Sequence, residues 1–390
     1  MSSFLDSKLG PLVAADVPTP DIYAAIDAGS TQTRGAIFTK DGQLRQQLLL
    51  DSNYDLIDRD ITHVTSPGVD VFSNLLFEIS DVTSNKSEKQ FENITVVKGD
   101  LLAAITTNRQ VTSSSASKID QITTYINMLC NIALLLVDYY VDHGSQEVAV
   151  VHLVASLPPE DTKFKHRVDL FRRRLAGEYI VNMPRLNTSV SFIVAEDFKI
   201  ISEPEAVAVY AAVEGVLADE EDSVVCILDI GGRSAGITFI DNKKLLIDSC
   251  ITVPIGGSRL LNILGRNIAN DYDIQEPQIN RLVRAVETGY FRIGAQKVDI
   301  TKQLDAAKRE FAKMIFNELM VAIDVNSIQM QNISKVYCSG RTFGETANSS
   351  SILVNIEELF KTKSPYTAFT RIDKPNPILS GLVYNGIMYA

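Results

Sequence analysis

The feature that most constrains this chain is a duplication. Two segments about 200 residues apart follow one plan, in which an apolar strand ends in Asp-x-Gly, a short polar turn follows and a second strand begins. In the first copy, residues 22–26 lead into Asp27-Ala28-Gly29-Ser30-Thr31-Gln32-Thr33-Arg34, then Gly35-Ala36-Ile37-Phe38, with Asp41-Gly42 turning towards a third strand at 46–50. In the second, residues 224–228 lead into Asp229-Ile230-Gly231-Gly232-Arg233-Ser234-Ala235, then Gly236-Ile237-Thr238-Phe239, with Asp241-Asn242 turning towards 244–248. Glycines and small hydroxyl residues let the backbone N–H groups of a turn converge on an anion such as phosphate. A carboxylate heading each turn would repel that anion unless a divalent cation lay between them, and Mg²⁺ is commonly held through waters and a few carboxylates. Asp27 and Asp229 together therefore predict a Mg-nucleotide complex. For a single copy, hairpin punctuation explains Asp-x-Gly equally well; a repeat of the whole plan favours function.

Composition narrows the setting. A chain of 390 residues suits two domains. With 45% hydrophobic and 22% charged residues it predicts packed cores rather than disorder. The longest apolar stretch, 128–137, is far below the roughly 20 residues of a membrane span and predicts a buried helix. The first 20 residues, with Pro11, Pro18 and Pro20, lack a basic start leading into an apolar run, so they read as an arm and the expected location is the cytoplasm. Cys130, Cys226, Cys250 and Cys338 lie far apart within apolar segments and predict reduced core thiols. A net charge of −11 opposes direct binding to nucleic acid, so any link to DNA would run through an adaptor protein.

Other motifs are local. Ser202-Glu203-Pro204-Glu205 starts a helix, with Ser202 as N-cap and Glu205 closing a capping box, which leaves Glu203 without a capping role. Gly256-Gly257 precedes an amphipathic helix, and glycines there suit a close backbone approach. A long helical pattern covers 304–323, where Lys308, Arg309 and Lys313 are expected on a solvated face. Gly232-Arg233-Ser234-Ala235-Gly236 matches the G-x-S-x-G elbow of serine hydrolases. That fold needs a helix after the serine and a histidine later in the chain, whereas here a strand follows and His63, His143, His152 and His166 all precede Ser234.

From Asp21 onward these segments resemble the superfamily of actins, sugar kinases and DnaK-type chaperones. IDAGSTQTRGAIF is similar to its phosphate-1 hairpin, ILDIGGRSAGITFI to phosphate-2 and VYCSGRTFGE to the adenosine segment; ISEPEAVAVYAA and NPILSGLVYNGIMYA resemble its connecting helices. VAVVHLVASLPPEDTKFKHRVDLFRRRL and the Tyr-Asn-Gly-Ile-Met-Tyr ending resemble ParM-type bacterial actins, which segregate plasmids. The resemblance implies an α/β, actin-like ATPase fold with two ribonuclease-H-like domains flanking a nucleotide cleft. Residues 1–20 would be an extension; 21–203 domain I, with an insertion at about 52–118 and completed by the helix 378–390; and 204–377 domain II, with a helical insertion at about 260–330. It implies ATP or GTP with Mg²⁺ as cofactors, Asp27 and Asp229 as water-mediated metal ligands, and Glu203 orienting the attacking water. Gly29, Ser30, Thr31, Gln32, Arg34, Gly231, Gly232 and Arg233 would contact phosphates. Gly256, Gly257, Ser339, Gly340, Arg341 and Thr342 would border the nucleotide. Ser234-Ala235-Gly236 and Ser339-Gly340-Arg341 depart from the family's acidic residue and its Gly-Gly pair. The implied function is a dynamic, self-associating filament coupled to hydrolysis, with a DNA-binding adaptor as partner and no membrane or direct nucleic-acid binding. The alternative within the superfamily is a small-molecule kinase. A chaperone is disfavoured because the chain ends soon after the second connecting helix.

Overall fold

The computed structural model describes residues 21–29, 32–38, 44–52, 54–56, 74–83, 92–99, 117–143, 148–217, 222–340, 352–372 and 376–389. The chain forms two compact units, one of Met1–Leu157, Phe164–Ile201 and Leu382–Ala390, the other of Pro158–Lys163 and Ser202–Gly381.

The first unit is built on one mixed sheet. Its strands are β1 (Asp21–Ala28), β2 (Gln32–Phe38), β3 (Leu44–Asp51), β4 (Asp55–Leu56), β5 (Asn74–Asp81), β6 (Asn93–Gly99), β7 (Ala149–Leu157), β8 (Gly177–Met183), β9 (Thr188–Val194) and β10 (Lys199–Ser202). Their order is β3-β2-β1-β7-β9-β8-β5-β6-β4, with β10 beside β7. Ala24, Ala25 and Ile26 are all buried, so β1 is covered on both faces, which explains its continuous apolar run. One cover is helix α1 (Ile122–His143), where Ile126, Leu129, Ala133 and Ile132 enter the core. Strands β5 and β6, from the stretch between 52 and 118, extend the main sheet through β8.

After β7, a short helix α2 (Pro159–Thr162) precedes the basic helix α3 (Lys165–Leu175). Its arginines make structural bonds. Arg167 Nη2 donates to Asp120 Oδ2 at 2.9 Å, Arg174 Nη1 to the Ile119 carbonyl at 2.8 Å, and Arg172 Nε to the Phe198 carbonyl at 2.9 Å. Phe171 and Leu175 form the buried side of the same helix.

The second unit begins with α4 (Glu203–Val213) and a sheet of β11 (Val224–Ile230), β12 (Ala235–Asp241), β13 (Lys244–Leu245), β14 (Ile251–Val253), β17 (Ile333–Ser339) and β18 (Ala368–Arg371), ordered β13-β12-β11-β17-β18 with β14 on β12. Between β14 and β17 lie α5 (Gly257–Tyr272), α6 (Ile279–Thr288), the hairpin β15 (Tyr290–Ile293) and β16 (Gln296–Asp299), and the long α7 (Thr301–Val325). Leu304, Phe311, Ile315 and Leu319 of α7 recur at helical spacing and pack with α5 and α8 (Ile352–Lys361). Helix α9 (Pro377–Tyr389) ends the described chain.

One residue expected on the solvated face is buried instead. Arg309 and Lys313 are exposed on α7, but Lys308 is only 3% exposed. It lies four residues after Leu304 and three before Phe311, on the buried face of the helix, where burial lowers its pKa and the carboxylate of Asp305 opposes that shift. Among the described residues, no helix is long and apolar enough to cross a membrane. All four cysteines are free and buried.

Candidate functional site

In the first hairpin β1 and β2 pair antiparallel, with Asp27 opposite Arg34. Directly opposed residues share a face, so register alone brings guanidinium to carboxylate, and Arg34 Nη1 lies 3.3 Å from Asp27 Oδ2. Asp27 is 3% exposed, which makes this a largely desolvated pair. On its other side β1 runs parallel to β7, with Asp27 level with Ser156, whose Oγ donates to Asp27 Oδ1 at 3.1 Å. Gly29 is required by the turn: a Cβ there would stand 2.5 Å from the Gln32 carbonyl oxygen.

The opposite face of this hairpin is buttressed by buried polar groups. Lys98 Nζ on β6 donates to Asn127 Oδ1 of α1 at 2.5 Å, and Asn127 Nδ2 donates to the Ser52 carbonyl at 3.0 Å. Ser52 Oγ in turn donates to the Gly29 carbonyl at 2.7 Å and lies 3.2 Å from Thr33 Oγ1. A chain of hydrogen bonds thus runs from a buried ammonium to the turn. Because Lys98, Asn127, Ser52 and Thr33 are all buried, each contact among them matters more than a surface bond would.

The second hairpin pairs β11 with β12, and Asp229 lies opposite Gly236. The turn closes through a bond from Gly231 N to the Ser234 carbonyl at 2.9 Å. Its back is held by α5, where Gly257 N and Ser258 N donate to the carbonyls of Gly231 and Gly232 at 2.9 and 2.7 Å. A Cβ on Gly256 would meet Arg233 and Ser234 backbone atoms at 2.5–2.6 Å. The close approach expected at Gly256-Gly257 is therefore to the turn itself, and these helix-start N–H groups are already engaged. β11 runs parallel to β17 with Asp229 level with Ser339, and Ser339 Oγ donates to Asp229 Oδ1. Gly340 has φ +106, and a Cβ there would lie 2.2 Å from the Ile230 carbonyl oxygen, so only glycine fits. Arg233 is half-buried in the turn, and desolvation lowers the pKa of its guanidinium.

The repeat contains an offset that aligning the two Gly residues concealed. By register the residue equivalent to Gly236 is Arg34, while Gly35 lies one position further on and faces the other way. A Cβ on Gly35 would collide with Asn131 and Leu135 of α1, whereas one on Gly236 would come 3.3 Å from Pro204 Cγ. Pro204, which follows Glu203 at the start of α4, therefore occupies the face that carries Asp229. The capping box forms as expected between Ser202 and Glu205, whose backbone N donates to Ser202 Oγ at 3.2 Å. Glu203 is half-buried and plays no part in that cap. Ser30, Thr31, Arg341 and Thr342 lie outside the described residues. Ser156 was missed by sequence reasoning, because the parallel register that sets it level with Asp27 leaves no local signal in the sequence.

Residues 227–340 match the family model described as Archaeal actin homologue MreB-like, C-terminal. None of the curated proteins matches the chain by sequence. Among solved structures, it is similar to a 15-stranded ParM filament from Clostridium botulinum, with TM-score 0.67 and 16% identity over 95% of this chain and 100% of that one. It is similar to the archaeal actin homologue Ta0583, with TM-score 0.66 and 12% identity over 95% and 100% of the two chains. For Bacillus thuringiensis ParM with ATP the TM-score is 0.61 and the identity 12%, covering 95% and 99%. With two such hairpins set in sheets of this topology, the chain has the actin-like ATPase fold shared by ParM proteins and archaeal actin homologues.

Proposed function

We propose that the chain binds ATP or GTP as the Mg²⁺ complex, hydrolyses it, and self-associates into dynamic filaments that move plasmid DNA through a DNA-binding adaptor. The observation that carries the reading is the duplication in three dimensions: each unit presents a glycine turn headed by an aspartate whose Oδ1 accepts a serine hydroxyl from the adjacent parallel strand.

The donor set suits a Mg-nucleotide. A Cβ on Gly29 would collide with the Gln32 carbonyl oxygen at 2.5 Å, and one on Gly231 would crowd the Ser234 carbonyl oxygen at 3.3 Å, so both turns favour glycine. Arg34 Nε is buried and, among the described residues, has no hydrogen-bond partner, so it is a donor available to a phosphate oxygen. Gly29, Gln32, Arg34, Gly231, Gly232 and Arg233 would contact phosphates, joined by Ser30 and Thr31. Asp27 and Asp229 would hold Mg²⁺ through water, and the ion would offset phosphate charge. Ser339 and Gly340, followed by Arg341 and Thr342, would border the nucleoside, and Gly256 and Gly257 would back the second turn. Phosphoryl transfer to water depends chiefly on orientation and electrostatics, and Glu203, next to Pro204 at the start of α4, would orient the water. The net charge of −11 supports an adaptor over direct DNA contact. The likeness to a ParM filament supports self-association.

The test is light scattering with parallel phosphate release after adding Mg-ATP or Mg-GTP, comparing wild type with Glu203→Ala. Scattering should rise with phosphate following, and the variant should assemble while releasing phosphate about 100-fold more slowly, the scale of a lost general base. Nucleotide consumption only with an added small hydroxyl substrate, and no polymer, would replace this reading with a kinase.

A further inference from the structure

Ser156 and Ser339 come from segments with little local likeness, Val154-Ala155-Ser156-Leu157 and Tyr337-Cys338-Ser339-Gly340. Yet each ends a strand that runs parallel to the first strand of a hairpin, and each is level with that hairpin's aspartate. Both serines are buried, so each hydroxyl must find a partner inside the protein. Each donates to Oδ1 of the aspartate. A carboxylate otherwise turns broadly about its last side-chain bond. Anchoring Oδ1 from one side sets the plane of the group and the direction in which Oδ2 points. In the first hairpin Oδ2 is turned to Arg34 Nη1.

We propose that Ser156 and Ser339 are positioning residues, each of which sets the carboxylate of its own unit's hairpin in the orientation required to hold a hydrated divalent cation on a nucleotide. This proposal rests on the nucleotide reading above and adds two residues that act through the aspartates rather than on the nucleotide. Removing the partner that orients a metal ligand typically weakens metal affinity 10–100-fold. With water between carboxylate and ion, the lower end of that range applies.

The experiment titrates Mg²⁺ against binding of a fluorescent ATP or GTP analogue to the full chain, with thermal melting of the nucleotide-free protein in parallel. Wild type is compared with Ser156→Ala, Ser339→Ala and the hydroxyl-retaining Ser156→Thr and Ser339→Thr. Each alanine variant should need about tenfold more Mg²⁺ for half-maximal binding, should bind the analogue as well as wild type at saturating Mg²⁺, and should be rescued by threonine. An unchanged Mg²⁺ requirement in folded alanine variants would overturn the proposal and leave the nucleotide reading intact. A lowered melting temperature with weaker binding at every Mg²⁺ concentration, unrelieved by threonine, would reduce the serines to packing and also overturn it. Failure of wild type to bind either analogue at any Mg²⁺ concentration would remove the nucleotide reading and this proposal with it.

Discussion

Replacing Asn127 with leucine should destabilise the first unit far more than replacing Lys98 with methionine, although both changes break the same hydrogen bond. Asn127 accepts from Lys98 Nζ at 2.5 Å and donates to the Ser52 carbonyl at 3.0 Å, with Lys98 only 1% exposed. Asn127→Leu deprives a buried ammonium of a bond worth about 1.5–3 kcal/mol and a buried carbonyl of one worth about 1 kcal/mol. The expected loss is about 2.5–4 kcal/mol. Lys98→Met removes the charge itself and leaves one neutral acceptor unmatched, at a cost of about 1–2 kcal/mol. The double variant should lose only the bond to the Ser52 carbonyl, about 1 kcal/mol, giving a coupling of about 2.5–5 kcal/mol between the sites. Urea unfolding at constant pH measures this through the midpoint, provided the slope m is unchanged. If Asn127→Leu cost no more than Lys98→Met, the claim that a buried charge anchors the turn would be wrong.

Two further outcomes follow from burial and backbone geometry. Gly340→Ala should lower stability by about 2–5 kcal/mol in thermal melts, combining left-handed strain with overpacking. Gly215→Ala provides the control, since it has φ +71 but nothing within 4 Å of an added Cβ, and should cost only about 1–2 kcal/mol. Burial pushes the thiol pKa of Cys130 from 9.0 up to about 12 and raises those of Cys226, Cys250 and Cys338. Above pH 9 the unfolded chain sheds thiol protons that the folded chain keeps, so stability is full below that pH and falls as pH rises. Cys130 alone should contribute a slope of about 1.4 kcal/mol per pH unit between 9 and 12. Chemical denaturation across that window checks it, and a Cys130→Ala variant with an equally steep decline would refute the assignment.

Local patterns made much of the molecule legible. Apolar runs ending in Asp-x-Gly became β1 and β11 with their hairpins, Ser202 and Glu205 closed the cap of α4, and the 304–323 periodicity became α7. These features depend on neighbours a few residues away, so composition and spacing carry them. The actin-like fold also emerged from motif resemblance, and the structural likenesses agree with it.

What the sequence by itself determined was where strands, turns and caps begin. What only tertiary structure decided was which distant groups meet on one face. Ser156 reaches Asp27 across 129 residues and Ser339 reaches Asp229 across 110, through parallel registers that no local pattern encodes. The same holds for the one-residue offset between Gly35 and Gly236, set by strand pairing, and for the burial of Lys98 and Lys308, set by the elements packed over them. A side chain's neighbours along the chain fix its local geometry, but its charge, partner and solvent depend on strands and helices brought from elsewhere.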